Sequence, residues 1–157
     1  MLKNLDKVDL AILSELQNNG RLTNHELASK VELSPSPVSR RVRDLEDSNV
    51  IQKYVALVNP SSVGCSLSAF IRVKLERDAS SDLNTFESAI QNFSEVMECY
   101  LMTGDYDYIL RVALKDIEAF DKFLRGKLTK VPGIASISTN IAVSCVVFKT
   151  ELPFDVK

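Results

Sequence analysis

Residues 23–51 constrain this chain most strongly, because they have the pattern of two short helices joined by a tight turn. Thr23 stands three positions before Glu26, which is the arrangement of a capping box at the start of a helix. A turn at 32–33 ends that helix, and Ser34 opens the next one as its predicted N-cap. The stretch therefore predicts a helix-turn-helix.

Another helix precedes this pair. Apolar residues recur at helical spacing from Leu5 to Leu16, and Asp6 is a suitable N-cap. The sequence Asn-Asn-Gly at 18–20 supplies the end of this helix. We therefore predict that residues 1–51 form one helix-turn-helix domain.

The last helix of this domain has two different faces. Its apolar residues Val38, Val42 and Leu45 are spaced to face the other two helices. The residues that point outward, or flank the boundary in the case of Arg41, are Ser36, Ser39, Arg40, Arg41 and Arg43. No acidic residue lies between Pro35 and Arg43, which favours approach of the early turns to the phosphates and base edges of double-stranded DNA. The alternative at this point is an ordinary solvated helix face.

A segment rich in β-branched and aromatic residues follows at 51–58 and is predicted to be a strand. With the residues after it, it forms a predicted hinge strand and linker over 52–64. A strand in this position has an unpaired edge unless a partner covers it, so we expect two copies of the chain to pair here.

The remaining residues, 65–157, alternate between strand and helix patterns. The predicted strands are 67–76, 96–103, 106–114 and 134–148, and the predicted helices begin at Ser80 or Ser81 and at Asp116. The order βαββαβ implies a four-stranded antiparallel sheet with both helices on one face, a ferredoxin-like sandwich. The complete prediction is an α+β fold in which a hinge strand joins a winged-type helix-turn-helix to this sandwich.

The other face of the predicted sheet has no covering element in the chain. It carries apolar and basic side chains together, among them Phe70, Ile109, Val146, Arg72, Lys74 and Arg111. Such a mixed face is typical of a self-association surface, so we predict a homo-oligomer.

Composition excludes several classes of protein. The 19 Lys and Arg residues stand against 21 Asp and Glu, so a nucleic-acid surface must be a local patch. Three widely spaced cysteines and a single histidine, His25, indicate no disulfide framework, catalytic centre or metal site, and no Gly-rich loop indicates a nucleotide cofactor. The absence of a long apolar run or a signal peptide predicts no membrane association and a cytoplasmic, nucleoid-associated location.

Five segments of the chain carry a resemblance to a known family. They read LDKVDLAILSELQNNGRLTNHELA, LSPSPVSRRVRDLEDSNVI, QKYVALVNP, LMTGDYDYILRV and VPGIASISTNIAV. Together they span essentially the whole chain, and the first three are specific in combination. In these segments the chain resembles the Lrp/AsnC, or feast–famine, family of transcription regulators.

The resemblance implies a regulator whose helix-turn-helix binds DNA and whose hinge strands pair within a dimer. It further implies that the ferredoxin-like domains build dimers into octamers and bind a small amino acid between them. The recognition helix then corresponds to 36–47. The effector-binding residues correspond to Thr103, Gly104, Asp105, Tyr106 and Asp107, with Thr139 as a weaker candidate.

The chemistry of this loop is consistent with that role. Gly104 leaves backbone amides open to an α-carboxylate, and Asp105 or Asp107 can neutralise an α-ammonium group. From the residues alone, the alternative is a plain hairpin turn with its tyrosines in the core.

Three functions remain open at this stage. The favoured one is a DNA-binding regulator that responds to an amino acid. The second is an architectural DNA-binding protein with no effector, in which the sandwich only oligomerises. The third, an enzyme, is disfavoured because the chain offers no clustered nucleophile and base.

Overall fold

The computed structural model describes residues 5–76 and 82–154, and the first of these ranges begins with three helices. They are α1 (Lys7–Asn18), α2 (Asn24–Lys30) and α3 (Pro35–Asp47). Capping boxes start α1 and α2: the Asp6 carboxylate accepts from the backbone amide of Asp9, and the Thr23 hydroxyl accepts from that of Glu26. The predicted helix-turn-helix is therefore present, and local sequence sets where its first two helices begin.

Helices α2 and α3 end in the same way. Glu32 and Asn49, which follow them, have left-handed backbone conformations with φ of 54° and 57°. The next amide along the chain donates back to the carbonyl of Ala28 in α2 and of Leu45 in α3, at 3.0 and 2.9 Å. This reversal keeps the turn between the two helices short.

The start of α3 differs from the prediction. Ser34 occupies the N-cap position, but its side chain makes no capping hydrogen bond. A cap accepts from the second or third helical amide, and the third helical residue here is Pro37, which has no amide hydrogen. Pro35 at the first position lacks one as well, so the two prolines, rather than the serine hydroxyl, fix the backbone at this end.

The three helices enclose an apolar core with one charged group at its edge. The buried apolar residues are Ile12, Leu27, Ala28, Val38, Val42 and Leu45. In the described part of the chain, Asp9 is the single charged residue that is buried, with 5% of its surface exposed. One guanidinium nitrogen of Arg41 lies 2.7 Å from the carboxylates of both Asp6 and Asp9. This arginine therefore ties α3 to the start of α1.

The chain divides into two compact units, Met1–Leu57 with Val147–Lys157, and Val58–Val146. Two hydrogen bonds join the side-chain amide of Gln17 to the backbone of Leu152, at 2.7 and 3.3 Å, within the first unit. The predicted boundaries place residues 65–157 together. The contact grouping puts the last residues with the helices, and Leu152 is bonded there.

Residues 52–59 do not show the predicted hinge strand in the single chain. Their apolar side chains are exposed, from 48% at Tyr54 to 64% at Val55 and Leu57. A strand exists only as part of a hydrogen-bonded ladder, and this segment has no ladder partner among the described residues. Pairing between two copies of the segment stays a prediction.

The second unit is a sheet with helices, as predicted. Its described elements are β1 (Leu67–Leu75), α4 (Asp82–Gln91), β2 (Val96–Leu101), β3 (Tyr108–Leu114), α5 (Ile117–Gly126) and β4 (Ile134–Ile141). The strands form an antiparallel sheet in the order β2-β3-β1-β4. This is the order of a ferredoxin-like sandwich, in which β1 and β3 are central, and it confirms the predicted α+β fold class.

The sheet has one buried and one exposed face. Along β1, residues Ala69, Ile71, Val73 and Leu75 are buried, while the residues between them are exposed. The buried set packs with Phe86 and Ile90 of α4 and with Phe120 and Phe123 of α5. On the exposed face, Arg111 pairs with Glu98 at 2.7 Å across β2 and β3. The alternation predicted for β1 is confirmed.

The last strand is shorter than predicted. It ends at Ile141 instead of residue 148, with Ile141 opposite Ala69 near the start of β1. One further bond, from the amide of residue 142 to the carbonyl of Ser68, closes the ladder at 2.9 Å. Beyond this point β1 offers no partner.

Two smaller differences concern the helices. Leu128 was predicted to belong to the helix that begins at Asp116, but it lies in a short 3-10 helix, Leu128–Lys130, after α5 has ended. The predicted caps at 80 and 81 lie outside the described residues.

We expect Arg41→Met to lower the free energy of unfolding of the helical unit by about 1–2 kcal/mol, because it leaves the buried Asp9 carboxylate without its cation. The figure is modest because the arginine side chain is itself 29% exposed. Arg40→Met is the matched control, since the side chain of Arg40, the residue before Arg41, is exposed and makes no ion pair among the described residues. Thermal unfolding followed by circular dichroism measures both. Equal melting temperatures would show that the ion pair is not structural.

Candidate functional site

Helix α3 presents a basic outer face. Arg40, Arg43 and Ser36 are exposed, whereas Val38 and Val42 are buried beneath them. Within the described parts of the chain, neither exposed arginine makes an ion pair. Both guanidinium groups therefore remain open to an external anion.

The other two residues predicted on this face are engaged inside the unit. Arg41 is directed towards α1 by its ion pairs and does not share the outer face with Arg40 and Arg43. The Ser39 hydroxyl accepts a hydrogen bond from the side-chain amide of Asn24, at 3.3 Å. Ser39 thus links α3 to the first residue of α2, where it remains half-buried at the junction of the two helices.

A shallow groove of about 390 Å³ runs beside this face. Its lining includes Asn24, Ser39 and Arg43, together with Glu46 from the later part of α3 and Tyr54 from the segment that follows. The Tyr54 hydroxyl donates to a Glu46 carboxylate oxygen at 3.0 Å. Sequence reasoning missed this pair, because a tyrosine eight positions from a glutamate and outside the helix carries no local signal.

The predicted effector loop connects β2 to β3 and spans 102–107. The strands on either side are shorter than predicted, so the loop is longer than a simple two-residue turn. Gly104 has φ of +118°, a conformation that side chains disfavour. Thr103 and Asp105 are exposed at the tip, and Asp105 makes no hydrogen bond or ion pair within the described residues.

Asp107 anchors this loop to the sheet. Its backbone amide donates to the carbonyl of Val73 at 2.9 Å, and its carboxylate accepts from the amide of Leu75 at 2.7 Å. The register between β1 and β3 ends at the pair of Val73 and Tyr108, so the carboxylate supplies the partner that the Leu75 amide needs beyond the end of this ladder. Asp107 therefore has a structural role, and Asp105 has the unoccupied carboxylate.

Two further predicted residues lie on different sides of β1. Tyr106 lies under the guanidinium of Arg72, whose central carbon is 5.3 Å from the ring centroid. Thr139 is in β4, opposite Ile71. Arg72 was predicted only as an exposed residue of the sheet, and its contact with the loop is apparent only from the fold. The structure thus brings a guanidinium next to the loop, while Thr139 lies one strand further away.

Membrane and metal features were searched in the described ranges. No helix there is both long and apolar enough to cross a bilayer. No group of three or more potential ligands that would suit a metal ion was found there either.

Comparisons with known proteins follow this division of the chain. Residues 5–52 match the family model for a winged helix-turn-helix DNA-binding domain, and residues 68–152 match that for the Lrp/AsnC ligand binding domain. The second match alone covers more than half of the chain. The chain belongs to the Lrp/AsnC family of transcription regulators. Family, fold class and regulator rather than enzyme are thus confirmed.

Individual relatives agree with this assignment. The leucine-responsive regulatory protein of Klebsiella pneumoniae is 41% identical over 141 residues, covering 90% of this chain and 86% of that protein. A transcriptional regulator of Neisseria meningitidis, solved in complex with L-methionine, is 39% identical with a TM-score of 0.92, over 96% and 97% of the two chains. An AsnC-family regulator of Agrobacterium tumefaciens is 36% identical with a TM-score of 0.90, over 95% and 97%.

We expect Asp107→Ala to destabilise the sheet unit by about 1–2 kcal/mol, because it leaves the Leu75 amide without its charged acceptor. Asp105→Ala serves as the control, since the same truncation two residues earlier removes no bond within the described chain. Calorimetric melting of the two variants compares them directly. A melting temperature for Asp107→Ala equal to that of Asp105→Ala would contradict the anchoring role.

Proposed function

We propose that this regulator binds double-stranded DNA through the outer face of α3, and that its DNA binding responds to a small amino acid held at the 102–107 loop. The observation that carries the first part is that Arg40 and Arg43, which make no ion pair within the described residues, are exposed on a helix whose core side fixes its orientation. Guanidinium groups read guanine edges and bind phosphates, and the early turns of such a helix are the part that enters the major groove.

This proposal assigns direct DNA contacts to fewer residues than the sequence predicted. Ser36, Arg40 and Arg43 are exposed and form the contact surface. Arg41 orients the helix through Asp6 and Asp9, and Ser39 orients it through Asn24. Arg41 and Ser39 therefore influence DNA affinity through the position of α3.

A single copy presents few basic side chains on α3 from which to form a stable complex with DNA. Each phosphate contact contributes to affinity through counterion release, so a module with two or three such contacts binds weakly at physiological salt. Several copies on one particle solve this problem, because the second and later contacts become intramolecular. We infer that the exposed segment 52–58 pairs within a dimer, that dimers associate further into an octamer, and that the particle works in the cytoplasm at the nucleoid.

Support for the amino-acid effector comes from chemistry and from relatives. The matched domain is a ligand-binding one, and the Neisseria regulator was solved with L-methionine. In this chain Asp105 supplies a free carboxylate for an α-ammonium group, and Gly104 gives access to backbone amides. Arg72, stacked on Tyr106, supplies a cation for the α-carboxylate. Asp107 holds the loop in place, and Thr139 is at most a peripheral member.

The response follows from linkage. An amino acid at the interface of C-terminal units that binds one assembly better than another shifts the population towards that assembly. The spacing of the DNA-binding helices shifts with it. The architectural alternative, a DNA-binding protein without an effector, differs only in lacking this differential binding.

We expect Arg40→Ala and Arg43→Ala each to weaken DNA binding by about 1–3 kcal/mol where the side chain reads a base. Where it contacts a phosphate, the slope of log affinity against log salt should flatten by about 1 per engaged copy. Fluorescence anisotropy over a salt series, with a duplex selected by the wild-type protein from random sequence, measures both effects. Arg125→Ala is the charge-matched control, because it removes an arginine from α5, where it pairs with Asp121. If Arg40→Ala and Arg43→Ala bind like this control, α3 is not the recognition helix.

We expect at least one amino acid to raise the melting temperature, with leucine and methionine tested first among the twenty. At about 100 times its dissociation constant, the stabilisation is about 2.7 kcal/mol per site. Asp105→Ala should abolish the shift while leaving the ligand-free melting temperature unchanged, and sizing with and without the ligand reports the assembly. If no amino acid shifts the wild-type protein at millimolar concentration, the architectural function is the correct one.

A further inference from the structure

Tyr54 lies outside the three helices but contacts both α3 and the turn that follows α1. Its hydroxyl donates to Glu46 at 3.0 Å, and its ring lies against Gly20 in the turn after α1. A Cβ atom at Gly20 would be 3.3 Å from the ring, closer than an ordinary van der Waals contact. The tyrosine therefore sits in a fitted position, with the glycine giving its ring room.

Glu46, which accepts the hydrogen bond from Tyr54, lies where it can compete with DNA for the guanidinium group of Arg43. Glu46 follows Arg43 by three positions on α3, and both side chains line the same groove. Oppositely charged residues at this spacing are neighbours on a helix and lie within reach of an ion pair. In the described chain Glu46 is bonded to Tyr54, and Arg43 has no ion pair.

The hydroxyl is a dependable donor at neutral pH. Partial desolvation of the hydroxyl, together with its hydrogen bond to Glu46, raises the pKa of Tyr54 to about 12. The phenol therefore stays protonated throughout the physiological range, and its bond to the carboxylate persists there.

We propose that Tyr54 is a positioning residue for DNA recognition, which holds the Glu46 carboxylate away from Arg43 and so keeps the Arg43 guanidinium available to DNA. This inference rests on the proposed contact between Arg43 and DNA. It assigns a role in recognition to the segment after the helix-turn-helix, since the same segment that is exposed for pairing also controls the charge on the outer face of α3.

A double-mutant cycle tests this role. Tyr54→Phe keeps the ring against Gly20 but releases Glu46, which then pairs with Arg43 and must be displaced by DNA. An ion pair of this kind corresponds to about a twofold loss of affinity per engaged copy, and so to about fourfold for a particle that binds with two. In a Glu46→Gln background, where no ion pair with Arg43 forms, Tyr54→Phe should have no effect.

The affinities of the wild type, the two single variants and the double variant are measured by anisotropy on the selected duplex, at a temperature where all four have the same circular dichroism spectrum. Arg43→Ala is measured alongside them. An unchanged affinity for Tyr54→Phe, or an equal loss with Glu46 and with Gln at position 46, would overturn the inference. If Arg43→Ala itself binds like the wild type, the proposed DNA contact of Arg43 fails first, and the two failures are thereby distinguished.

Discussion

The ion pair between Arg41 and the carboxylates of Asp6 and Asp9 determines what the rest of the helical unit can do. It joins α3 to the start of α1 through a carboxylate that is almost fully buried, where an unpaired charge would be costly. Consecutive helical residues are rotated by about 100° about the axis. Fixing Arg41 against α1 therefore turns Arg40 and Arg43 outward. One arginine orients the helix, and its neighbours are available for recognition.

Strand β1 has the corresponding place in the second unit. It pairs with β3 on one side and β4 on the other, so both edges of its backbone are engaged. At its end, beyond the last registered pair with β3, the side chain of Asp107 completes the hydrogen bonding of Leu75. The 102–107 loop is thus attached to the most constrained strand of the sheet. A ligand held at this loop, as proposed, would act on a rigid support, and Asp105 at its tip makes no bond within the described residues.

The features that sequence predicted well are those decided by neighbours in the chain. The N-cap at Asp6, the capping box at Thr23 and the alternation of β1 depend on residues within a few positions of one another. The failed cap at Ser34 was equally local, because Pro37 visibly lacks the amide that the cap would need.

Other features depended on partners that the sequence does not reveal. Periodicity left Arg41 at a boundary, and only the approach of α1 decides its direction. The end of β4 is set by where β1 begins, and the strand character of 52–59 depends on a partner segment. The structural role of Asp107 depends on where the β3 ladder ends and leaves the Leu75 amide without a strand partner. Family resemblance pointed to the 102–107 loop but could not separate its two aspartates.

Weak binding by a single copy is a physical requirement of the proposed regulation. Typical coupling between two sites is about 1–3 kcal/mol, which changes an affinity by a factor of about 5–150. Such a change switches occupancy only if the unliganded complex is close to its binding threshold. A helical unit with many free arginines would stay bound in every assembly state. On the proposed function, a recognition helix with two outward arginines, Arg40 and Arg43, would leave each copy near that threshold. The spacing of several copies, and therefore a ligand that alters it, would then decide whether DNA is bound.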